Sequence, residues 1–208
     1  MDPRSADPIL PRRQRRLALA CLACVGATGL PWLRPAGAAS WDLEALMRLL
    51  ATRKSGEARF KETKTLSMLN APIESSGILR FAAPDFLEMH TLAPKPQKVV
   101  VQGRQVTVEL DGKTHRFDLD QTAEAGALVD GIRATLDGDL AGLRRNYAAR
   151  LRGSARLWTL ELVPRLDAAR ARISEIDVSG SGSAVLSIAV FQADGDRSLM
   201  TLHELRTP

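Results

Sequence analysis

Most of this chain alternates. Apolar side chains recur at every second position in Ala58/Phe60, Leu79/Phe81, Leu87/Met89, Val99/Val101, Val106/Val108/Leu110 and His115/Phe117/Leu119. The pattern resumes in Tyr147/Ala149/Leu151, Trp158/Leu160/Leu162, Ile176/Val178, Leu186/Ile188/Val190 and Met200/Leu202. Successive strand residues point to opposite faces, so this period predicts antiparallel sheet with one dry and one wet face. Turn signals separate the runs. Asn70-Ala71-Pro72 and Ala82-Ala83-Pro84-Asp85 read as turns, and Asp111-Gly112 and Asp194-Gly195 as tight hairpins.

Helical spacing appears in two places. Leu43, Leu46, Met47, Leu49 and Leu50 share one face. Ser40 is the expected N-cap, Asp42 and Glu44 fall in the first turn, and the helix is expected to run to about Arg53, with Gly56 near its stop. Between the two strand series, residues 122–145 change period. Leu128, Val129, Ile132 and Leu136 form one stripe, and Leu140 and Leu143 follow a break near Gly138. Residues 165–172 read as a short helical turn. The fold class is therefore α+β, with about six strands, a helical insert and about five more strands. Two helical segments are too few to cover a flat sheet of that width. The economical arrangement is a strongly curved, partly open barrel wrapped around them.

The first forty residues have another purpose. Arg12, Arg13, Arg15 and Arg16 precede an uncharged stretch from Leu17 to Leu33, and small residues follow at Ala36-Gly37-Ala38-Ala39-Ser40. This order is that of a secretory signal peptide. The stretch is shorter than a membrane span and is interrupted by Gly26, Gly29 and Pro31. The paired arginines leave general and twin-arginine export both open. Residues 40–208 are then the exported domain. Six of the 29 basic and two of the 24 acidic residues lie before residue 40, which leaves 23 against 22, a net charge of +1 rather than +5. No positive excess remains to neutralise phosphates, so nucleic acid is not an expected partner. Both cysteines, Cys21 and Cys24, also fall in the leader. The exported chain would depend on packing, without disulfides.

Catalytic signatures do not appear. There is no GxSxG elbow, HExxH motif, phosphate loop or dinucleotide-binding glycine pattern. Gly112-Lys113-Thr114 and Asp194-Gly195-Asp196 read as turns. His90, His115 and His203 stand on different strands with no cysteine partner, which points to no metal site. Glu204 and the neighbouring His203 face opposite sides of a strand and cannot act as one acid–base pair. The sequence reads as a non-enzyme without cofactor or metal.

What remains is a wide aliphatic face with few large residues to fill it. The exported chain has only Trp41, Phe60, Phe81, Phe86, Phe117, Tyr147, Trp158 and Phe191 as aromatics. Two readings stand: an ordinary core, or a cavity closed by the helical insert that holds an apolar ligand. On the second reading, strand parity and the helical stripe nominate fifteen lining residues. They are Phe60, Leu79, Phe81, Leu87, Met89, Val108, Phe117, Leu128, Ile132, Leu136, Trp158, Leu160, Leu162, Ile188 and Met200.

Gly77-Ile-Leu-Arg-Phe-Ala-Ala-Pro84-Asp-Phe-Leu-Glu-Met-His-Thr-Leu-Ala-Pro94 resembles the G-x-L-x-x-x-x-P-x-x-F…P stretch of the periplasmic outer-membrane lipoprotein carrier (LolA) family. Phe60-Lys61-Glu62 (family F-x-Q) and Val190 to Arg197 are similar as well. Gly131 to Asp139 and Trp158 to Pro164 resemble a related branch, and the likeness spans about 41–205. The resemblance implies an incomplete β-barrel with a helical lid at about 122–145, in a periplasmic carrier of acylated lipoprotein or another acyl lipid. An inner-membrane exporter, an outer-membrane acceptor and a monomeric state would go with it. Alternatives are a non-carrier module whose half-barrel binds a protein partner, and a lipid hydrolase, against which the missing nucleophile weighs. One departure affects the lid. Where the family has a lid-tying arginine before the proline, this chain has Ala83, which predicts easier opening. The family phenylalanine three residues after that proline corresponds to Leu87, with Phe86 one residue early. Glycines 126, 131, 138 and 142 also suggest a segment suited to local opening.

Periplasmic protein is expected to begin at Ala39 or Ser40. N-terminal sequencing checks this, and recovery of the Arg12–Arg16 cluster on periplasmic protein would contradict it.

Overall fold

The computed structural model describes residues 41–205. The leader reading, Cys21, Cys24 and the Ser40 cap lie outside the described residues. Residues 41–205 fall in one compact unit that spans 38–208. Its strands are β1 (Ser55–Thr65), β2 (Ile73–Ala82), β3 (Phe86–Ala93), β4 (Gln97–Gln102), β5 (Gln105–Leu110) and β6 (Lys113–Asp118), then β7 (Tyr147–Ser154), β8 (Leu157–Pro164), β9 (Ile173–Ser181), β10 (Ala184–Gln192) and β11 (Arg197–Glu204). All eleven make one antiparallel sheet in the order β6-β5-β4-β3-β2-β1-β11-β10-β9-β8-β7. Two sequential meanders thus join at β1 and β11. The edge strands β6 and β7 do not pair, and the barrel stays open at that seam. The Asp111-Gly112 hairpin has positive φ at both central residues, 52° and 72°, as a primed two-residue turn requires.

The helices are α1 (Leu43–Leu50), α2 (Ala123–Asp137), α3 (Leu140–Asn146) and α4 (Asp167–Arg170). Asp42, not Ser40, is the N-cap of α1: its carboxylate accepts from the Ala45 N–H at 2.8 Å. The helix ends at Leu50 with Ala51 as cap. Gly56 lies instead in β1, where a Cβ would come within 2.6 Å of the Phe81 ring. Leu119 has left the β6 alternation for a single helical turn, Leu119–Gln121.

The interior divides into two clusters. The larger packs Leu46, Met47 and Leu50 of α1 against Phe60, Tyr147, Trp158, Leu160, Leu162, Ile176, Val178 and their neighbours, under β7–β11 and β1. The smaller holds Leu87, Val101, Val106 and Leu119 under β3–β5. Helix α2 serves both. Leu128, Ile132 and Leu136 pack on the larger cluster, and Ala125, Val129 and Leu136 on the smaller.

Simple alternation fails at two bulges on the inner face. A shift between Phe191 and Gln192 leaves Ile173 buried three residues before the buried Ile176, and the other lies in β10. A register shift between Val185 and Ser187 buries Val185 and turns Leu186 outward, 41% exposed. A bulge inserts one extra residue, so the parity before it inverts. Among polar groups, Asp177 is poorly satisfied. Its carboxylate lies on the outer face opposite Glu161, and its Oδ1 is buried without a hydrogen-bond partner. Burial first, then the Glu175 charge, pushes its pKa up to about 6; Glu161 adds to the rise, and Arg152 opposes it.

That rise fixes a sign. The folded-state pKa exceeds the usual Asp value of about 3.9. The contribution to stability is therefore fully present below about pH 4 and is lost as pH rises through about 6. Asp177→Asn is expected to stabilise the protein at pH 7 by on the order of 1 kcal/mol, after discounting for solvent screening. The gain should vanish near pH 4. Denaturant melts at the two pH values measure it.

Candidate functional site

Between the two clusters the contact runs through partly buried side chains, Leu79 and Leu136 among them, which do not fill the interior. The space left is a cavity of about 220 Å³. Its walls are Leu79 of β2, Leu87 and Met89 of β3, Val99 and Val101 of β4, Ile188 and Val190 of β10, Met200 of β11, and Leu128, Val129 and Ile132 of α2. Every apolar wall residue is aliphatic or Met. The largest buried rings, Trp158, Tyr147 and Phe60, are all spent in the larger cluster. At the β1 end three polar residues close the wall: Glu62, Lys64 and Ser198. A second apolar space of about 40 Å³ lies nearby, lined by Leu50, Ala58, Leu79, Phe81, Leu136, Val185, Ile188 and Leu202.

The fifteen nominated residues separate accordingly. Leu79, Leu87, Met89, Leu128, Ile132, Ile188 and Met200 line the larger cavity. Phe81 and Leu136 line the small space. Val108 and Phe117 pack at the margin of the smaller cluster. Phe60, Trp158, Leu160 and Leu162 line neither space. They are packed core, each no more than 2% exposed. Parity finds the inner face correctly, but it cannot say where that face is covered by α1 and where it is bare. Val99, Val101, Val129 and Val190 share the same periods and are the missed aliphatic wall. Glu62 and Lys64 continue the inward parity of Ala58 and Phe60, a signal present in the sequence.

The insert forms the roof, and α2 is tied at several points. Arg104, in the β4–β5 turn, pairs with Asp120 and donates to Asp130 of α2 at 3.0 Å. Arg133 of α2 donates to the Gly103 carbonyl at 2.6 Å. Gln192 donates to Glu124 at 2.8 Å. The Tyr147 hydroxyl, its pKa raised by burial, donates to the Ala127 carbonyl. Ala83 makes only a backbone bond, to the Lys54 carbonyl at 2.8 Å. The roof is thus held from the β4–β5 turn, and the missing arginine at Ala83 does not leave it untied. The glycines are also packing positions. A Cβ on Gly131 would sit 3.1 Å from the Tyr147 ring, and Gly138 caps α2 with φ +66°.

On the opposite side of α2 lies a larger cleft of about 550 Å³, lined by Arg104, Asp130, Arg145, Arg165 and others. It mixes charged with apolar lining residues and is open, so water reaches it and finds polar partners there. Away from Glu62, Lys64 and Ser198 the wall of the aliphatic cavity offers no polar partner, and a buried water needs two to four. The aliphatic cavity is the space with a driving force for a ligand. Among the described residues, no group of His, Cys, Asp and Glu could hold a metal ion. No helix of the described residues is long and apolar enough to cross a membrane.

An open antiparallel half-barrel, wound around a helical insert that roofs an aliphatic space, defines a class of folds with an internal apolar site. The chain belongs to the outer membrane lipoprotein carrier protein LolA-like family, whose model matches residues 35–203. The family's description is that of a carrier protein. No curated protein sequence matches the chain. Solved structures of similar fold include a LolA superfamily protein from Nitrosomonas europaea, with 11% identity and TM-score 0.43 over 81% of this chain and 96% of that one. The MucA/MucB complex of Pseudomonas aeruginosa gives 16% identity and TM-score 0.42 over 80% of this chain and 58% of that one. The Mycobacterium tuberculosis lipoprotein LppX gives 10% identity and TM-score 0.41 over 77% and 93%.

Replacing Arg104 by Ala removes its ties to Asp120 and Asp130. Amide exchange across Ala123–Asp137 is expected to accelerate, while global stability falls by less than about 1 kcal/mol because the pairs are exposed. Hydrogen-exchange mass spectrometry reads this directly, and unchanged protection of α2 would show that these ties do not hold the roof.

Proposed function

We propose that this protein is an exported, monomeric carrier that holds the acyl chain of a lipoprotein or related lipid in its half-barrel and ferries it through the periplasm toward the outer membrane. The observation that carries the reading is the aliphatic cavity of about 220 Å³ under α2, in a chain of a family described as a lipoprotein carrier. A sixteen-carbon chain in water is unfavourable by on the order of 10 kcal/mol, at about 0.8 kcal/mol per methylene. Such a molecule crosses an aqueous space only inside a container. Smooth hydrocarbon walls suit a container that must also release its load.

Size sets the next step. At about 30 Å³ per water-sized group, the cavity holds roughly seven methylenes of one chain. That contributes roughly 5 to 6 kcal/mol, little more than the lower estimates of the cost of association. A full chain therefore needs α2 to move, and the ties through Arg104 and Arg133 set how easily it does so. An exporter and an acceptor membrane protein would supply and take the load. A module that binds only a protein partner would need no such space.

Val99→Trp is expected to fill the cavity and abolish uptake of an apolar fluorescent probe, with thermal unfolding shifted by only a few degrees. Overpacking strain of about 1–3 kcal/mol bounds that shift. Mass spectrometry of protein purified without detergent should find an acyl lipid on the wild type and none on the variant. Wild type that carries no lipid and takes up no probe would refute the carrier reading and leave the protein-binding module in its place.

A further inference from the structure

The apolar cavity ends in a charged pair that core packing does not require. Alternation along β1 places Glu62 and Lys64 on the same inner face as Phe60, and both line the cavity. Glu62 is only 8% exposed. Its cross-strand partners are Met200 of β11 and Ser75 of β2. The Ser75 hydroxyl donates to Oε2 at 3.1 Å. Lys64 Nζ stands 3.5 Å from Oε1, outside ordinary N–H···O range, and so acts as a charged neighbour. A carboxylate offers about four acceptor positions. Ser75 fills one, Lys64 lies beside the other oxygen, and acceptor capacity remains at the polar end of an otherwise apolar space. A carboxylate so placed is costly unless something donates to it. Glu62 and Ser75 also line an open cleft of about 400 Å³ on the far side, with Ser76 and Glu74. The cleft's other β1 and β2 residues, Lys61, Thr63, Glu74 and Ser76, have the parity of the outer face, so Glu62 and Ser75 stand at the polar limit of the apolar space.

We infer that Glu62 is a head-group subsite, and that the ligand is a single-chain amphiphile whose head donates a hydrogen bond through an ammonium or an amide N–H. The inference rests on the carrier reading and adds the head-group chemistry to it. The hydrocarbon tail runs between α2 and the sheet, and the donor meets Glu62 at the β1 end of the cavity. Lys64, half exposed, faces any anionic group farther out. A free fatty acid fits poorly, because its carboxylate would meet Glu62 with like charge. Phospholipid ammonium groups and the N–H groups of an acylated peptide share the required chemistry.

The test uses delipidated protein loaded with diphenylhexatriene, competed by three ligands of one chain length: laurate, lauroyl lysophosphatidylethanolamine and an N-lauroyl dipeptide amide. At least one donor-headed ligand is expected to displace the probe at about tenfold lower concentration than laurate, as one hydrogen bond to a charged group predicts. Preference for the ammonium ligand alone assigns the site to a lipid head, and preference for the amide alone to an acylated peptide. In Glu62→Gln the preference for the ammonium ligand should fall below about threefold, with each affinity taken relative to the probe in the same variant. Equal competition by all three, or a preference that survives the substitution, overturns the subsite while the carrier reading stands. Failure of the probe and all three ligands to bind would remove both.

Discussion

The pairing of β1 with β11 is the contact on which the rest of this molecule depends. It joins the first strand of the domain to the last, in register from Ala58↔Glu204 through Phe60↔Leu202 to Thr65↔Arg197. Each meander is built from local hairpins and could form its own ladder. Neither has a complete interior. Only when β1 and β11 are side by side do Phe60, Ile188, Met200 and Leu202 come to one continuous inner face. The pairing spans most of the chain, so it carries the largest loop-closure cost of any contact in the sheet.

Once the meanders are joined, the helices decide what the curved face encloses. Helix α1 and the largest aromatics fill one half densely. Helix α2 leans on both halves and seals neither completely. The aliphatic cavity is what remains between a well-filled cluster and a sparse one. The low aromatic content and the empty space are therefore the same fact at two levels. A chain with so few large side chains, and most of its rings committed to one side, cannot pack the other side shut.

The roof is held by contacts other than the one the family resemblance points to. The resemblance to the lipoprotein carriers directs attention to Ala83, where an arginine is absent. The structure directs it instead to Arg104 and Arg133, which join α2 to the turn between β4 and β5. Sequence spacing could not have found these ties, because Arg104 and Asp130 are brought together by the path of the chain around the open seam. The Gly131 contact with Tyr147 is of the same kind. Read along the sequence, a glycine inside a helix suggests weakness; packed against a ring of the opposite edge strand, it allows α2 to sit close.

What the sequence by itself determined is what period and local chemistry can carry. That includes the positions of the strands, the tight turns at Asp111-Gly112 and Asp194-Gly195, the helical insert and its break at Gly138, and which side of each strand is dry. These follow from interactions between residues a few positions apart, and they held except at the bulges at Val185/Ser187 and at Phe191/Gln192 opposite Ile173, where one extra residue inverts parity. Only the tertiary structure decided which dry residues are core and which face empty space. Phe60, Trp158, Leu160 and Leu162 share their alternation with Met89 and Met200, yet the first four lie against α1 or its neighbours and the last two against the cavity. The same holds for Glu62, whose inward parity was legible but whose surroundings were not. The physical reason is that alternation reports the face a side chain occupies, whereas burial or exposure on that face depends on what the far end of the chain brings to cover it.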